Sequence, residues 1–432
     1  MAVRAVTGGE SRGTGPHAEA PAVRVVATAA PLEPQAAPAA DLAPSGRRAL
    51  PWRLYWAHVL GVFGLAASNI LLGFAFLAAP LAGGWRRLLE RDLRPLLLAL
   101  AAYVLLLGAS VAGSFDPRHS LGETSELFGL LTLVLGLVLA RGERRVRQVI
   151  DAVVLLATLE AVVGLGQLVA RGGADLSRRI EGTLSHYMTF AAVLMVGDLL
   201  LCAQVALRGR GVGWRALALV PINVALMASL TRSAWVGLAA GFLVLLLLSR
   251  RRALLWAVPA LFAGALLLPQ GVMERMASIV DPGDTTNSDR LAMARAGGEM
   301  IAERPLLGQG PGMVEERYPL YRHPAAWRKT VPHLHNGYLQ IAAERGLPAL
   351  ACLLVLLAIP LLRAWRGLRR DPLRSGARAD LYLGIVAALV GFAVAALFED
   401  SWGDTEVQRL ILALMALPFG LGIADERSAA ER

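Results

Sequence analysis

Apolar runs of roughly 20 residues recur along this chain from about residue 54 almost to its end. No other feature narrows the possible folds as much. Inside a bilayer every backbone N–H and C=O must find its partner within the protein, so a run of that length reads as a spanning helix. With 56% of its 432 residues hydrophobic, the chain commits most of its length to one membrane domain. The expectation is an all-α polytopic integral membrane protein with about 12 transmembrane helices. The spans fall near 95–113, 125–140, 148–170, 186–206, 216–230, 234–249, 253–269, 337–363, 380–398 and 406–424. The segment 54–84 is basic at both ends and so crosses twice, as a tight hairpin with its tip near Ala67-Ser68-Asn69.

The net charge of +10 is a topology signal and not a nucleic-acid one, because the cations sit in short loops between apolar runs. These loops are 47–53, 85–94, 141–147 ("RGERRVR"), 208–215, 249–252 and 364–378. They alternate with less basic loops near 114–124, 171–185, 231–233, 269–336 and 399–405. The basic set is assigned to the cytoplasm, together with both termini. Residues 1–45, rich in Ala, Pro and Gly, read as a disordered cytoplasmic tail. Residues 46–424 read as the membrane domain and 425–432 as a short C-terminal cytoplasmic tail. The first long apolar run begins too far in for a cleavable signal peptide. Cys202 and Cys352 lie within apolar runs and form neither a disulfide framework nor a zinc pattern.

The loop at 270–336 far exceeds the others in length. It carries turn signals at Asp281-Pro282-Gly283-Asp284 and Gly308-Gln309-Gly310-Pro311-Gly312 around an amphipathic stretch at 289–303. Long loops of this composition are usually functional, so chemistry is sought here and at the outer ends of the spans. Arg232, in "LTRSAWVGLAAG", is held by a short turn at the outer membrane face. It suits either lipid headgroups or a phosphate, which its planar fork grips through two parallel hydrogen bonds. Arg290 follows three candidate N-caps, Asn287, Ser288 and Asp289, and so is expected in the first turn of a helix stopped by Pro305. An anion is favoured at such a helix start; a surface ion pair with Asp289 or Asp284 is the plainer reading.

"VPHLHNGYLQIAAERGLPAL" opens the next span with His333, His335 and Asn336 and carries Glu344 and Arg345 further in. A histidine titrates near neutrality and can take a proton from a hydroxyl. Two histidines one residue apart, with no evident third and fourth ligand, are a weak metal signal. Arg178, Arg179 and His186 stand at another outer lip, and Glu399, Asp400, Asp404 and Glu406 at the last one. The run "EERYPLYRHPAAWRK" mixes aromatic and basic groups, which suits sugar stacking or an interface belt.

Three stretches in this order resemble the O-antigen ligase and O-antigen polymerase superfamily of bacterial envelope glycan enzymes. They are "TRSAWVGL" (231–238), "RLAMARAGGEMIAERPLLGQGPG" (290–312) and "HNGYLQIAAERGLPAL" (335–350). The resemblance implies a GT-C-like, all-helical fold with a long periplasmic loop containing short helices. It implies an inverting, metal-independent glycosyltransferase of the bacterial inner membrane, needing no cofactor and acting on the periplasmic face. The donor would be an undecaprenyl diphosphate-linked glycan and the acceptor lipid A-core or another glycan, among membrane lipids. Arg232 and Arg290 would hold the diphosphate, with Arg179 a looser match; His335 would be the base, with His333, Asn336 and Glu344 supporting. Ligation to lipid A-core is the leading expectation and repeat-unit polymerisation the alternative. A lipid-linked glycan transporter is the reading from a different class, but it would call for polar groups at mid-membrane and an internal repeat.

Overall fold

The computed structural model describes residues 46–61, 64–173, 178–249, 278, 285–324, 326–370 and 378–430. The expected tail at 1–45 and span at 253–269 lie outside them. Among the described residues the chain is helical, without strands. In chain order the α-helices are α1 (Leu50–Leu60), α2 (Leu65–Ala78), α3 (Arg94–Ala112), α4 (Pro117–Gly122), α5 (Glu126–Leu139), α6 (Gly142–Ala170) and α7 (Tyr187–Arg208). They continue with α8 (Leu219–Ala228), α9 (Arg232–Ser249), α10 (Thr285–Glu303), α11 (Met313–Tyr321), α12 (Gly337–Arg369), α13 (Ala379–Ala395) and α14 (Thr405–Ala430). Eight helices among the described residues are long and apolar enough to cross a membrane, and α13 is a shorter apolar one. Their outer faces expose large side chains such as Leu77, Leu98, Leu105 and Leu247, as lipid-facing surfaces do.

One local expectation needs correction. The hairpin within 54–84 turns at Gly61–Gly64, where Gly64 N donates to Gly61 O at 3.0 Å, and not at Ala67-Ser68-Asn69. Ser68 is already helical and buried, with its hydroxyl 2.8 Å from His58 Nδ1 across the pair. With 11 residues, α1 rises only about 16 Å, too short to cross alone. The C-terminal helix continues as far as Ala430.

The centre of the bundle is α7, α9 and α13, packed side by side. Their contact is close because glycine removes the side chain where backbones meet. A Cβ on Gly237 of α9 would lie 2.6 Å from the carbonyl of Gly391 of α13, and one on Gly241 2.8 Å from Ala387 O. Small residues at four-residue spacing let membrane helices approach in this way. The result fixes the start of α9, and with it Arg232, beside the loop that follows α13.

The basic connections gather at one end of the bundle. Arg87 donates to Leu137 O and Phe419 O, Arg141 to Gly84 O, Arg147 to Asp380 and Arg363 to Asp92. At the other end, α10, α11 and the segment after them form a small second core of Met293, Met300, Val314, Tyr318, Val331 and Leu334. The glycine-rich Gly308–Gly312 turn wraps the kink of α12 at Gly346. Gln309 N and Gly310 N donate to Ala343 O and Glu344 O at 2.8 and 2.9 Å, and Leu347 N to Pro305 O at 2.8 Å. Carbonyls freed by the kink are thereby satisfied from the loop. Just before the kink, Arg345 makes a buried ion pair with Glu126 at 3.1 Å and donates to Tyr103 at 3.0 Å. Arg345→Met leaves the Glu126 carboxylate buried without its cation, and a loss of about 3–5 kcal/mol is expected. Thermal unfolding in detergent checks this; an unchanged Tm would show that the pair is not a stabilising element.

Candidate active site

A cavity of about 530 Å³ opens among the starts of α7, α9 and α10, the segment before α12, and the loop between α13 and α14. Arg179, Arg232, Arg290, His333 and His335 all line it, drawn from segments more than 150 positions apart in the chain. Arg328 lines it too, as do His186, Glu399, Asp400 and Asp404. Asn336 and Glu344 do not. Asn336 caps α12, its side chain accepting from Tyr338 N and Leu339 N. Glu344 accepts from Gly312 N at 3.0 Å and Gln340 Nε2 at 2.8 Å and faces a neighbouring cavity.

Arg232 is the first residue of α9 and is buried. Its Nη1 donates to the carbonyl and hydroxyl of Ser278 at 2.8 and 3.0 Å. The first N–H groups of a helix have no acceptor within it, and the dipole makes that end positive. A guanidinium at the same point makes an anion site of two parts, backbone and side chain. α7 likewise begins at the cavity, where His186 Nδ1 accepts from Met188 N at 3.3 Å. The helix-start argument therefore attaches to Arg232 and not to Arg290. α10 is already helical at Thr285, which puts Arg290 in its second turn and Asn287, Ser288 and Asp289 inside the helix. The stop at Pro305 is observed, since α10 ends at Glu303. Asp289 pairs with Arg328 at 3.4 Å, while Arg290 stands 3.9 Å from Glu399. Arg179 stacks on Tyr187, 4.3 Å from the ring centroid. Burial, joined by repulsion from Arg232, lowers the Arg179 pKa against the opposing pull of Tyr187. A guanidinium so perturbed still carries its charge at neutral pH.

Glu399 is the hub of the site. It accepts from His333 Nε2 at 3.1 Å and approaches His335 Nδ1 with both oxygens, at 3.2 and 3.1 Å. Burial opposes its charge, but the hydrogen bonds from both imidazoles outweigh that and hold it well below the usual carboxylate range. An ionised carboxylate only accepts, so this contact places a proton on His335 Nδ1, and the neutral form of the ring then presents the lone pair of Nε2. This is how a carboxylate orients a histidine to act as a base. The backbone holds the geometry. His335 has φ of 50°, in the left-handed region that a non-glycine residue enters at a cost. Two residues on, Gly337 N donates to Ala396 O at 2.9 Å and Glu399 O at 3.2 Å, tying this segment to the loop that carries Glu399.

Burial disfavours the His333 imidazolium, but the Glu399 bond prevails and raises its pKa above 6.5. A raised histidine stabilises the fold fully below its unfolded value and loses that contribution as pH rises through the folded one. The Tm of the wild type is thus expected to fall more steeply than that of His333→Gln as pH climbs above 6.5. Parallel curves in a pH series of melts would contradict this. Asp400, half-buried, is pushed up to about 6 by burial. Asp404 caps α14 through Glu406 N and Val407 N and accepts from Thr189, which locks α14 to α7.

The third ligand that the two histidines lacked in the sequence is Glu399: the ligand atoms of His333, His335 and Glu399 lie within 4.8 Å of one another. The trio could hold a divalent ion. It is also a hydrogen-bonded cluster in its own right, and the four arginine cations around it oppose a further positive charge. The sequence singles out neither Glu399 from its three acidic neighbours nor Arg328 from its aromatic-basic run. No local signal marks either one, since each acquires its place through distant contacts.

Residues 216–354 match the family model described as O-Antigen ligase. A comparison with curated proteins finds no match. The matched stretch includes Arg232, Arg290, Arg328, His333, His335, Asn336 and Glu344, whereas Arg179 and Glu399 lie outside it. It joins the start of α9 to the segment before α12 across the long loop, which is the same order of motifs that carries the resemblance in the sequence. Residues 216–354 are thus similar to the O-antigen ligase family, within a chain whose described residues include eight helices long and apolar enough to cross a membrane.

Proposed function

We propose that the protein is an inverting glycosyltransferase that moves a glycan from undecaprenyl diphosphate to a hydroxyl of lipid A-core on the periplasmic face of the inner membrane. Arg232, Arg290 and Arg179 hold the diphosphate. The acceptor hydroxyl gives its proton to His335 Nε2, and its oxygen attacks the anomeric carbon from the side opposite the diphosphate. The bond between that carbon and the diphosphate oxygen breaks, and the departing lipid diphosphate keeps the electron pair. Negative charge grows on the leaving group in this step, and fixed cations aimed at it lower the barrier without reorganising. Guanidinium groups supply that charge directly, so the reading needs neither metal nor cofactor.

One observation carries the proposal: a single cavity is lined by four arginines and by an imidazole whose other nitrogen is engaged by a carboxylate. Cations at one edge and a base at another are what a single displacement from a phosphate-linked donor requires. The charge alternation of the loops supports placing the cavity in the periplasm and both termini in the cytoplasm.

Purified protein in detergent, given the lipid-linked glycan and lipid A-core, is expected to form the linked product with inverted anomeric configuration. Absence of transfer would overturn the reading, and transfer without a bilayer would exclude a transporter. A strain lacking the gene is expected to accumulate long glycan on the lipid carrier. Accumulation of single repeat units would instead identify a polymerase.

A further inference from the structure

Beside the cationic cavity lies a second one of about 240 Å³, and the two share a wall at Pro332, His333, Asp400 and Gly403. Its character is opposite. Glu123, Glu315, Glu344 and Asp400 face it, while the Arg345 cation is paired with Glu126. Among its lining residues is Gln408 of α14, which is 1% exposed. Among the described residues neither the Oε1 nor the Nε2 of Gln408 has a hydrogen-bond partner. A buried amide left in this state costs stability, so its retention calls for an explanation. An apolar residue of the same shape would cost nothing, whereas a ligand that both donates and accepts would satisfy it.

We propose that this acidic chamber is the acceptor subsite and takes one pyranose ring that is uncharged or bears an amine. The inference rests on the glycosyl-transfer reading above and adds the chemistry of the acceptor to it. Hydroxyl groups donate to carboxylates and exchange both kinds of hydrogen bond with an amide, so carboxylates and Gln408 together form a polyol-binding floor. A phosphorylated ring would meet the field of Glu123, Glu315 and Asp400 and is rejected. The dividing wall then has a purpose. A ring seated in the acidic chamber extends its hydroxyl past His333 and Asp400 towards the cationic cavity, where the anomeric carbon and His335 stand. Opposite charges on the two sides keep the donor diphosphate out of the acceptor chamber and the acceptor out of the phosphate site.

The test measures saturation-transfer NMR on the full chain in detergent, with inorganic pyrophosphate at saturation to fill the cationic cavity. Methyl α-glucopyranoside and glucosamine are expected to bind, and glucose 6-phosphate at least about tenfold more weakly. Gln408→Met, which removes the orphaned amide at nearly constant shape, is expected to fold with an unchanged or higher Tm and to bind both sugars at least about tenfold more weakly. Glu315 is exposed at the rim, so Glu315→Lys is expected to fold normally and to narrow the discrimination against the phosphorylated sugar. Displacement of the neutral sugars by pyrophosphate, equal binding of glucose 6-phosphate, unaltered binding in Gln408→Met, or no sugar binding at all would each overturn the subsite. The reading beneath it is tested separately by pyrophosphate binding: if that survives in Arg232→Ala, the cationic cavity is not the phosphate site, whatever the sugars do.

Discussion

Arg232→Ala is expected to lower the rate of glycan transfer by about 10²–10³-fold while the protein remains folded. The side chain is buried at the first residue of α9, so its charge acts in a water-poor site beside N–H groups that have no acceptor within the helix. Removing it deletes the fixed cation closest to that helix end, and water cannot fully replace an oriented guanidinium. Arg232→Lys is expected to recover little of the loss, because an ammonium cannot reproduce the two parallel donors that a phosphate accepts. Arg290→Ala is expected to have the same direction of effect. Its extent should be smaller, since Arg290 sits in the second turn of α10 and shares its charge with Glu399 at 3.9 Å. Initial rates on purified, lipid-linked donor decide the matter. If Arg232→Ala and Arg232→Lys both retain wild-type turnover, the phosphate assignment is wrong.

The second large effect concerns the base. His335→Ala is expected to cost about 10²–10⁴-fold in kcat, the usual contribution of a positioned proton acceptor. Glu399→Gln should also be damaging although it touches no reacting atom. An amide in that position can donate to His335 Nδ1, and so turns the imidazole to the tautomer whose proton faces the acceptor. The two variants differ in how they respond to a better nucleophile. An acceptor supplied as the alkoxide-like, more acidic alcohol should be used by His335→Ala with much of its activity restored, because the missing proton transfer matters less. His333→Ala, by contrast, leaves the His335–Glu399 contact in place and should lose much less. Full activity in His335→Ala, or a larger defect in His333→Ala, would pass the role of base to the other histidine.

Much of the architecture was readable locally. Apolar runs mark the spans because the bilayer admits few alternatives for a backbone without water. The Pro305 stop was equally legible, since it depends on neighbours within a few positions, whereas Asn336 was read for a supporting part in the site and forms the cap of α12. Local reading failed where competing signals were close together. Asn287, Ser288 and Asp289 all suit a cap, yet α10 is already helical before them. The Ala67-Ser68-Asn69 stretch is polar enough for a turn, but Ser68 spends its polarity on buried His58.

The residue types of the site were present in the sequence; their convergence was not. By itself the sequence determined a helical membrane chain, the alternation of its loops, and a short set of arginines and histidines at membrane ends. The tertiary structure decided that Arg179, Arg232, Arg290, Arg328 and His335 share one cavity and that Glu399, alone among four nearby acids, joins both histidines. It also decided that a cavity of opposite charge adjoins the first. The physical reason is range. Hydropathy and capping act through a few neighbouring residues, whereas the position of Glu399 depends on glycine-mediated packing of α9 against α13 and on backbone bonds from Gly337, contacts no window along the chain contains.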